Sequence, residues 1–456
     1  MLTAIDPATA KVVREVTPDS DADVEAKLAA ARKAYESWRE KTFEERGKLL
    51  KAVAAHMRAH VDELAPLMTE EMGKPIKEAR AEVEKAAWCA EHYADFAEAY
   101  LAPITLGSDA TNSYVQHLPL GTVLGILPWN APFWLAFRFC APALMAGNTC
   151  LMKHDPHVPG CSAAIAKVFK EVGAPDGVFD SLLLETPAVE KVIRDKRIQA
   201  VSFTGSTRGG SAVASIAASE IKPAVLELGG SDPSIVLADA DLDKAADILK
   251  ISRIINAGQS CIAAKRIIVE APVYDEFIGK LKDRLAALKV GDPAKEETDI
   301  GPIARKDLLD ELARQVKTTI DEGATCVLGG EPIQGDGYFY PVTLLTDVKP
   351  GMCAFVEETF GPVAVVIRAD DEEHALQMAN DTEYGLAASV WSTAKRGEAL
   401  AKRIEAGQVA VNGIVKTDPR LPSGGIKRSG YGRELGPHGI HAFVNAQQVW
   451  VGPVKS

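Results

Sequence analysis

From Asp21 to Tyr100, apolar residues such as Val24, Leu28 and Ala31 return every three or four positions in text dominated by Ala, Glu, Lys and Leu. That spacing lines one face of a helix. Asp19, Ser20 or Asp21 can cap its start, and Gly73-Lys74-Pro75 after Met72 ends one helix and opens another. After Ala102-Pro103 the period changes. Ser113 to Leu118 alternates as a strand does, and Gly121 to Leu127 carries the signal of a short buried strand. Strand-like and helical runs then alternate through Asn148 to Met152, Ser162 to Val172, Ile198 to Thr204 and Gly210 to Ser219. A second series follows Glu227, with strands at Ser234 to Leu237 and Arg266 to Val269 and helices at Leu242 to Ile255 and Val273 to Leu288. This βαβ rhythm predicts an α/β fold with parallel sheets covered on both faces. Gly291-Asp292-Pro293 and Gly329-Gly330 mark loops, and the tail from Ala442 to Val451 predicts a strand with little core of its own.

The most apolar stretch, Leu124 to Met152, is interrupted by Pro128, Asn130, Pro132, Arg138 and Pro142. It reads as core threaded by polar groups, not as a lipid-spanning helix. At 456 residues the chain suits two or three domains, and 47% hydrophobic with 25% charged residues fits a folded protein with a large core. A net charge of −12 without a basic stripe argues against nucleic acid or an anionic membrane as partner. The seven cysteines, odd in number and widely spread, suit reduced thiols in the cytoplasm better than a disulfide frame. Met1 to Pro7 has no charged segment followed by an apolar one, so no secretory signal is expected.

Two glycine-flanked positions carry candidate chemistry. Cys261 follows Gly258-Gln259-Ser260 at the end of a helical run, where glycine permits close backbone approach and a helix end can lower a thiol pKa. It is either a nucleophile or one more small buried hydrophobe. Glu227, in Val225-Leu226-Glu227-Leu228-Gly229-Gly230, sits in an apolar run that should raise its pKa toward that of a general base. The alternative is a carboxylate paired with a lysine such as Lys222. Asn130, between Trp129 and Ala131-Pro132, can cap a helix or give its amide to an oxyanion. Arg138 stands alone among Phe133, Trp134, Leu135, Ala136, Phe137 and Phe139, and on a helix it shares a face with Trp134. Its guanidinium needs an anion, either an internal acid or a substrate carboxylate. Phe203-Thr204-Gly205-Ser206 ends a strand and opens a helix whose N-terminus can receive a phosphate. There is no G-x-G-x-x-G after a strand. His154 and His157 flank Asp155 in one loop, a poor metal site, and no metal is expected.

Taken together, these motifs resemble the aldehyde dehydrogenase superfamily along essentially the whole chain. The resemblance is carried by Pro128-Trp129-Asn130, Lys153, Phe203-Thr204-Gly205-Ser206, Glu227-Leu228-Gly229-Gly230 and Gly258-Gln259-Ser260-Cys261, then by Glu357 to Pro362 and Gly424 to Gly430. It implies Cys261 as nucleophile, Glu227 as the base that activates water, and Asn130 as oxyanion donor. It implies that Lys153 and Glu358 hold the cofactor riboses, with Ser206 near the pyrophosphate and Phe360 against the nicotinamide side, and that Trp129 and Gly205 also belong to the cofactor site. The fold implied has an atypical Rossmann cofactor domain (residues 1–100 and 119–226), a catalytic α/β domain (227–431) and a small β oligomerisation arm (101–118 and 432–456). A homodimer or homotetramer follows by the same resemblance.

Within the superfamily the chain is most similar to bacterial and cyanobacterial succinate-semialdehyde dehydrogenases, on Glu71 to Lys74, Lys153-His154, Leu228 to Pro233, Asn412-Gly413, Ser429 to Leu435 and the placement of Arg138. That implies Arg138, beside Trp134, as the ligand of a distal substrate carboxylate. Two departures bear on the site. Ser423 replaces the usual phenylalanine before Gly424-Gly425, which moves one wall of the aldehyde tunnel. Pro156 stands where many NAD-specific members have a glutamate, so Lys153, His154 and His157 can welcome a ribose 2′-phosphate while Asp155 opposes it. Use of both NAD and NADP is expected. Broader aldehyde specificity, including glutaric semialdehyde or uncharged aldehydes, is the alternative; CoA acylation and a non-catalytic role are the other readings.

Overall fold

A computed structural model describes residues 1–453 of the chain. The helical text from Asp21 folds into four helices, Asp21–Trp38, Phe43–Ala59, Val61–Met72 and Ile76–Tyr100. Of the three candidate caps it is Ser20 that acts: its hydroxyl accepts from the Asp23 amide while Asp23 accepts from the Ser20 backbone. Gly73 ends Val61–Met72 at φ 78°, and a Cβ there would stand 2.7 Å from the Pro302 ring.

Two large sheets follow from the two βαβ series. The first is ordered Gly430–Tyr431, Ala224–Glu227, Ile198–Thr204, Thr122–Leu127, Thr149–His154, Phe179–Ser181, parallel except for its first member. The second is ordered Thr325–Leu328, Thr343–Thr346, Val363–Ala369, Arg266–Glu270, Pro233–Val236, Ala387–Trp391, Gln408–Val411, and only Thr325–Leu328 runs antiparallel. Their near-continuous Val, Ile and Leu runs are what strands covered on both faces require. Alternation appears in the packing instead: Ile235 and Ile268 enter one core, while their neighbours Val236, Ile267 and Val269 enter the core on the opposite face. In the first sheet Val123 and Leu127 enter the core built with Phe43–Ala59, Val61–Met72 and Ile76–Tyr100, and Leu124 and Ile126 enter the core on the other side, with Val24 and Leu28 of Asp21–Trp38.

The apolar stretch of 124–152 resolves into a buried strand, the wholly buried helix Pro132–Met145 and a second buried strand. Gly125 lets that helix lie close, since a Cβ would meet the Phe139 ring at 2.5 Å. Among the described residues no helix is long and apolar enough to cross a membrane. Residues Asn112–Pro119 pair antiparallel with Val444–Val451 on one side and Ile104–Thr105 on the other, making a separate three-stranded ribbon with Trp450 exposed.

The strands leave one edge of each sheet facing a shared cavity. Segments that follow Thr122–Leu127, Ile198–Thr204 and Ala224–Glu227 line it from the first sheet. Segments that precede Arg266–Glu270 and Val363–Ala369 line it from the second. Carboxyl ends of parallel strands are where such folds place ligands.

Candidate active site

The cavity holds about 480 Å³ and brings together Asn130, Arg138, Glu227 and Cys261 with Glu358 and Phe360. Cys261 is delivered by a strained turn: Asn256 and Ala257 both have φ 53°, and Gly258 has φ 75°. A Cβ on Gly258 would collide with the Gly361 carbonyl oxygen, so only glycine fits there. Burial pushes the Cys261 thiol up to about 11, against the opposing pull of Arg138 and Lys265. Lys265 donates to the carbonyls of Ser260 (3.0 Å) and Cys261 (2.6 Å) and pairs with Glu358 at 3.2 Å. It ties the cysteine turn to the segment that precedes the Val363–Ala369 strand.

Glu227 ends its strand buried, with Gly430 opposite it across the sheet. Burial raises its pKa, and the Arg138 guanidinium, 3.4 Å away, works against that rise. Its Oε1 has no hydrogen-bond partner, and Gly424 passes so close that a Cβ would stand 2.6 Å from it. Lys222 is not its partner: that ammonium donates to the carbonyls of Ile193 and Asp195.

Asn130 does not cap the helix after it. Ala131 occupies the cap position without a side-chain bond, and the carboxylate of Glu82 accepts from the amides of Phe133 (2.9 Å) and Trp134 (3.2 Å) instead. The Asn130 amide is free to turn to the cysteine side, where it donates to the Gln259 carbonyl at 3.1 Å. Its backbone oxygen accepts from Lys74 and Asn256.

Arg138 has the internal acid. Its Nε donates to Glu434 at 2.6 Å, and Nη2 also pairs with Glu434. Burial alone would lower its pKa; Glu434 and Glu227 outweigh that and raise it. Of the two anions expected for this guanidinium, the internal acid is the one the chain supplies, through Glu434 and Glu227. Ser423 is also placed differently from expectation. It is absent from the cavity lining, pairs backbone to backbone with Glu434, and its hydroxyl accepts from Gln408 at 3.3 Å.

On the other flank, Ser206 caps the helix Thr207–Ser219 by accepting from the Gly209 amide, and Gly205 lies against the Phe203 ring. The buried Thr204 hydroxyl beside them has no partner. Trp129 meets Phe360 edge to face at 5.9 Å, and Glu358 accepts from the Gly230 amide at 3.2 Å. Gly229 is pressed so near Glu358 that a side chain there would displace the carboxylate. Lys153 lies outside the cavity lining at the end of Thr149–His154, without a carboxylate partner among the described residues; burial lowers its pKa. His154 cannot serve a phosphate as a cation. It is buried, bonded to the Pro132 carbonyl at 2.9 Å, and desolvation lowers it to about 4. His157 instead pairs with Asp155 at 2.6 Å, with Arg305 3.9 Å from the same carboxylate. Among the described residues no group of three or more His, Cys, Asp or Glu could hold a metal, and all seven cysteines are free.

A model of the aldehyde dehydrogenase family matches residues 1–449. The chain belongs to that family. It is 49% identical to a probable succinate-semialdehyde dehydrogenase [NADP(+)] of Synechocystis over 99% of both chains. It is 46% identical to the succinate-semialdehyde dehydrogenase [NADP(+)] of Mycobacterium avium, covering 100% of this chain and 98% of that one. Among solved structures, the succinic semialdehyde dehydrogenase of Streptococcus pyogenes in complex with NADP+ superposes with a TM-score of 0.97 at 35% identity, over 99% of this chain and 100% of that one. Lactaldehyde dehydrogenase of Escherichia coli follows at 0.96 and 34%, over 99% and 95%.

In this aldehyde dehydrogenase the sequence reading passed over Glu82, Lys85, Lys265 and Glu434. Glu78, Glu82 and Lys85 had a signal: steps of four and three residues put them on one helix face beside buried Ala79, Val83 and Ala86. Glu434 had none, because its partner lies 296 residues away.

Proposed function

We propose that this aldehyde dehydrogenase oxidises succinic semialdehyde to succinate with NAD or NADP, through a thioester on Cys261. The observation that carries the reading is the joint placement of a thiol, a buried carboxylate with an unpartnered oxygen and an asparagine amide turned to the cysteine side in one cavity. The names of the full-length relatives support the substrate and cofactor.

Cys261 Sγ bonds to the aldehyde carbon as its proton passes to water in the cavity, and the Asn130 amide with the Cys261 N–H receives the oxygen's growing charge. The nicotinamide cofactor, when bound, supplies the hydride acceptor. The residues suit such a group: Ser206 with the helix behind it for the pyrophosphate, the unpartnered Thr204 hydroxyl beside it, Glu358 and Lys153 for the riboses, and Trp129 with Phe360 for the ring. Gly205 leaves room for the close approach. Glu227 then takes a proton from water as its oxygen attacks the thioester carbon, the C–S bond breaks, and the carboxylic acid leaves with the thiol restored. Arg138, between Glu227 and Glu434, fixes the orientation of that base.

The first sheet with the N-terminal helices (residues 1–100 and 119–226) is the cofactor-binding part in this reading, and 227–431 the catalytic part. The ribbon of 101–118 and the tail from 432 form an arm whose exposed edge strands join copies of the chain into a homo-oligomer in the cytoplasm. Retention of Glu227 favours hydrolysis over transfer to CoA.

A steady-state panel of succinic semialdehyde, glutaric semialdehyde and butanal, each with NAD and NADP, tests the proposal. Succinic semialdehyde is expected to give the highest kcat/KM. A higher value for butanal with both cofactors would overturn the substrate assignment.

A further inference from the structure

The cations at the cavity are not equivalent. Lys74 is buried against Glu82, and Arg138 against Glu434 and Glu227. Lys85 also lines the cavity, yet no carboxylate among the described residues lies within ion-pair distance of it. Its ammonium stands 4.1 Å from the centroid of the Trp134 ring and donates to the Thr417 hydroxyl at 3.0 Å. An ammonium has three donors, so two remain for a ligand. A cation–π contact and one hydroxyl hold the group in place without neutralising it.

We propose that Lys85, steadied by Trp134 and Thr417, is the specificity-determining residue that receives the distal carboxylate of the aldehyde substrate. This rests on the ω-carboxy aldehyde reading above and moves the anchor from Arg138 to its neighbour. Three elements converge to build it: Lys85 from the helix Ile76–Tyr100, Trp134 from Pro132–Met145, and Thr417 from the segment after Gln408–Val411. Lys85, Arg138 and Cys261 line the same cavity, so a substrate with a carbonyl at one end and a carboxylate at the other can meet the thiol and the ammonium within it. Burial, then Arg138, depress the Lys85 pKa to about 8, while Glu82 and Asp418 pull it back up. An incoming carboxylate supplies the counter-charge that the half-buried ammonium lacks and holds its proton more firmly. An uncharged aldehyde of equal length offers neither.

The test compares succinic semialdehyde with butanal in wild type, Lys85→Met, Lys85→Arg and Arg138→Gln. The ratio of kcat/KM for the two aldehydes is expected to fall roughly tenfold or more in Lys85→Met, the scale of a lost charge-assisted hydrogen bond, and to recover in part in Lys85→Arg. Succinate, tested as a competitive inhibitor, should weaken in the same order. Arg138→Gln is expected to depress both aldehydes alike, since it acts through Glu227. If Lys85→Met keeps the wild-type ratio while Arg138→Gln loses it, the anchor is the arginine and the proposal is overturned. If wild type itself shows no preference for the carboxylated aldehyde, the substrate reading fails before the Lys85 assignment is reached. Thermal melting and cofactor quenching of tryptophan fluorescence identify any variant that has not folded.

Discussion

Burial governs the reactive groups one by one. The Cys261 thiol, pushed up to about 11, is protonated near neutrality and, on the proposed mechanism, must lose its proton as it attacks. Glu227, also raised by burial, holds a proton at pH values where an exposed glutamate has lost it. Only its ionised form can accept a proton from water, so low pH removes the base and higher pH restores it. For wild type, kcat with succinic semialdehyde is therefore expected to climb between about pH 6 and 9, followed in overlapping buffers. A flat profile, with deacylation shown to limit turnover, would contradict the assignment of Glu227. At this scale the sequence was most readable where glycine marks the spot, at Cys261 and Glu227. Arg138 was legible as a guanidinium in need of an anion, with an internal acid and a substrate carboxylate both open. What balances it, Glu434, is brought beside it by the return of the chain to the first sheet at Gly430–Tyr431.

Elements set the aim of those groups. Asn256, Ala257 and Gly258 lie in succession in the left-handed region, a conformation costing about 1–3 kcal/mol at each non-glycine residue, and the turn they make presents Cys261 to the cavity. Gly258→Ala is expected to lower kcat/KM by on the order of 10²-fold through misplacement of the thiol. The clash with the Gly361 carbonyl is also expected to lower the urea midpoint, so kcat/KM is read on protein shown to be folded. Wild-type kcat/KM in the variant would show that the turn does not set the thiol's position. Most elements were readable from periodicity: the strand Ile198–Thr204 begins and ends as expected, and Leu242–Ile254 stops one residue short. Boundaries slipped where a distant side chain decides them. The helix Pro132–Met145 takes its cap from Glu82 on another helix, so Asn130 does not cap it and Pro132 in the first turn is its local start signal. The brief strand Gly430–Tyr431 exists only because Ala224–Glu227 offers it an edge.

At the scale of the whole molecule, the cavity exists because the carboxyl edge of one sheet meets the amino edge of the other. Alternating strand and helix text made both sheets predictable, since each strand buries its own apolar run. Their meeting was not predictable from periodicity, which carries no information about how two finished sheets approach. It was the ordered series of motifs, from Trp129-Asn130 to Gly424-Gly425, that placed the residues in one family and so in one site. On the proposed mechanism this site holds the substrate as a thioester on Cys261 until Glu227 releases it. The measurement to make mixes Glu227→Gln with succinic semialdehyde and NADP, follows reduced cofactor by its absorbance, and quenches parallel aliquots with acid for intact protein mass. A burst of about one reduced cofactor per site, with a succinyl adduct mapped to Cys261, is the expected result. Steady turnover without an adduct would contradict it.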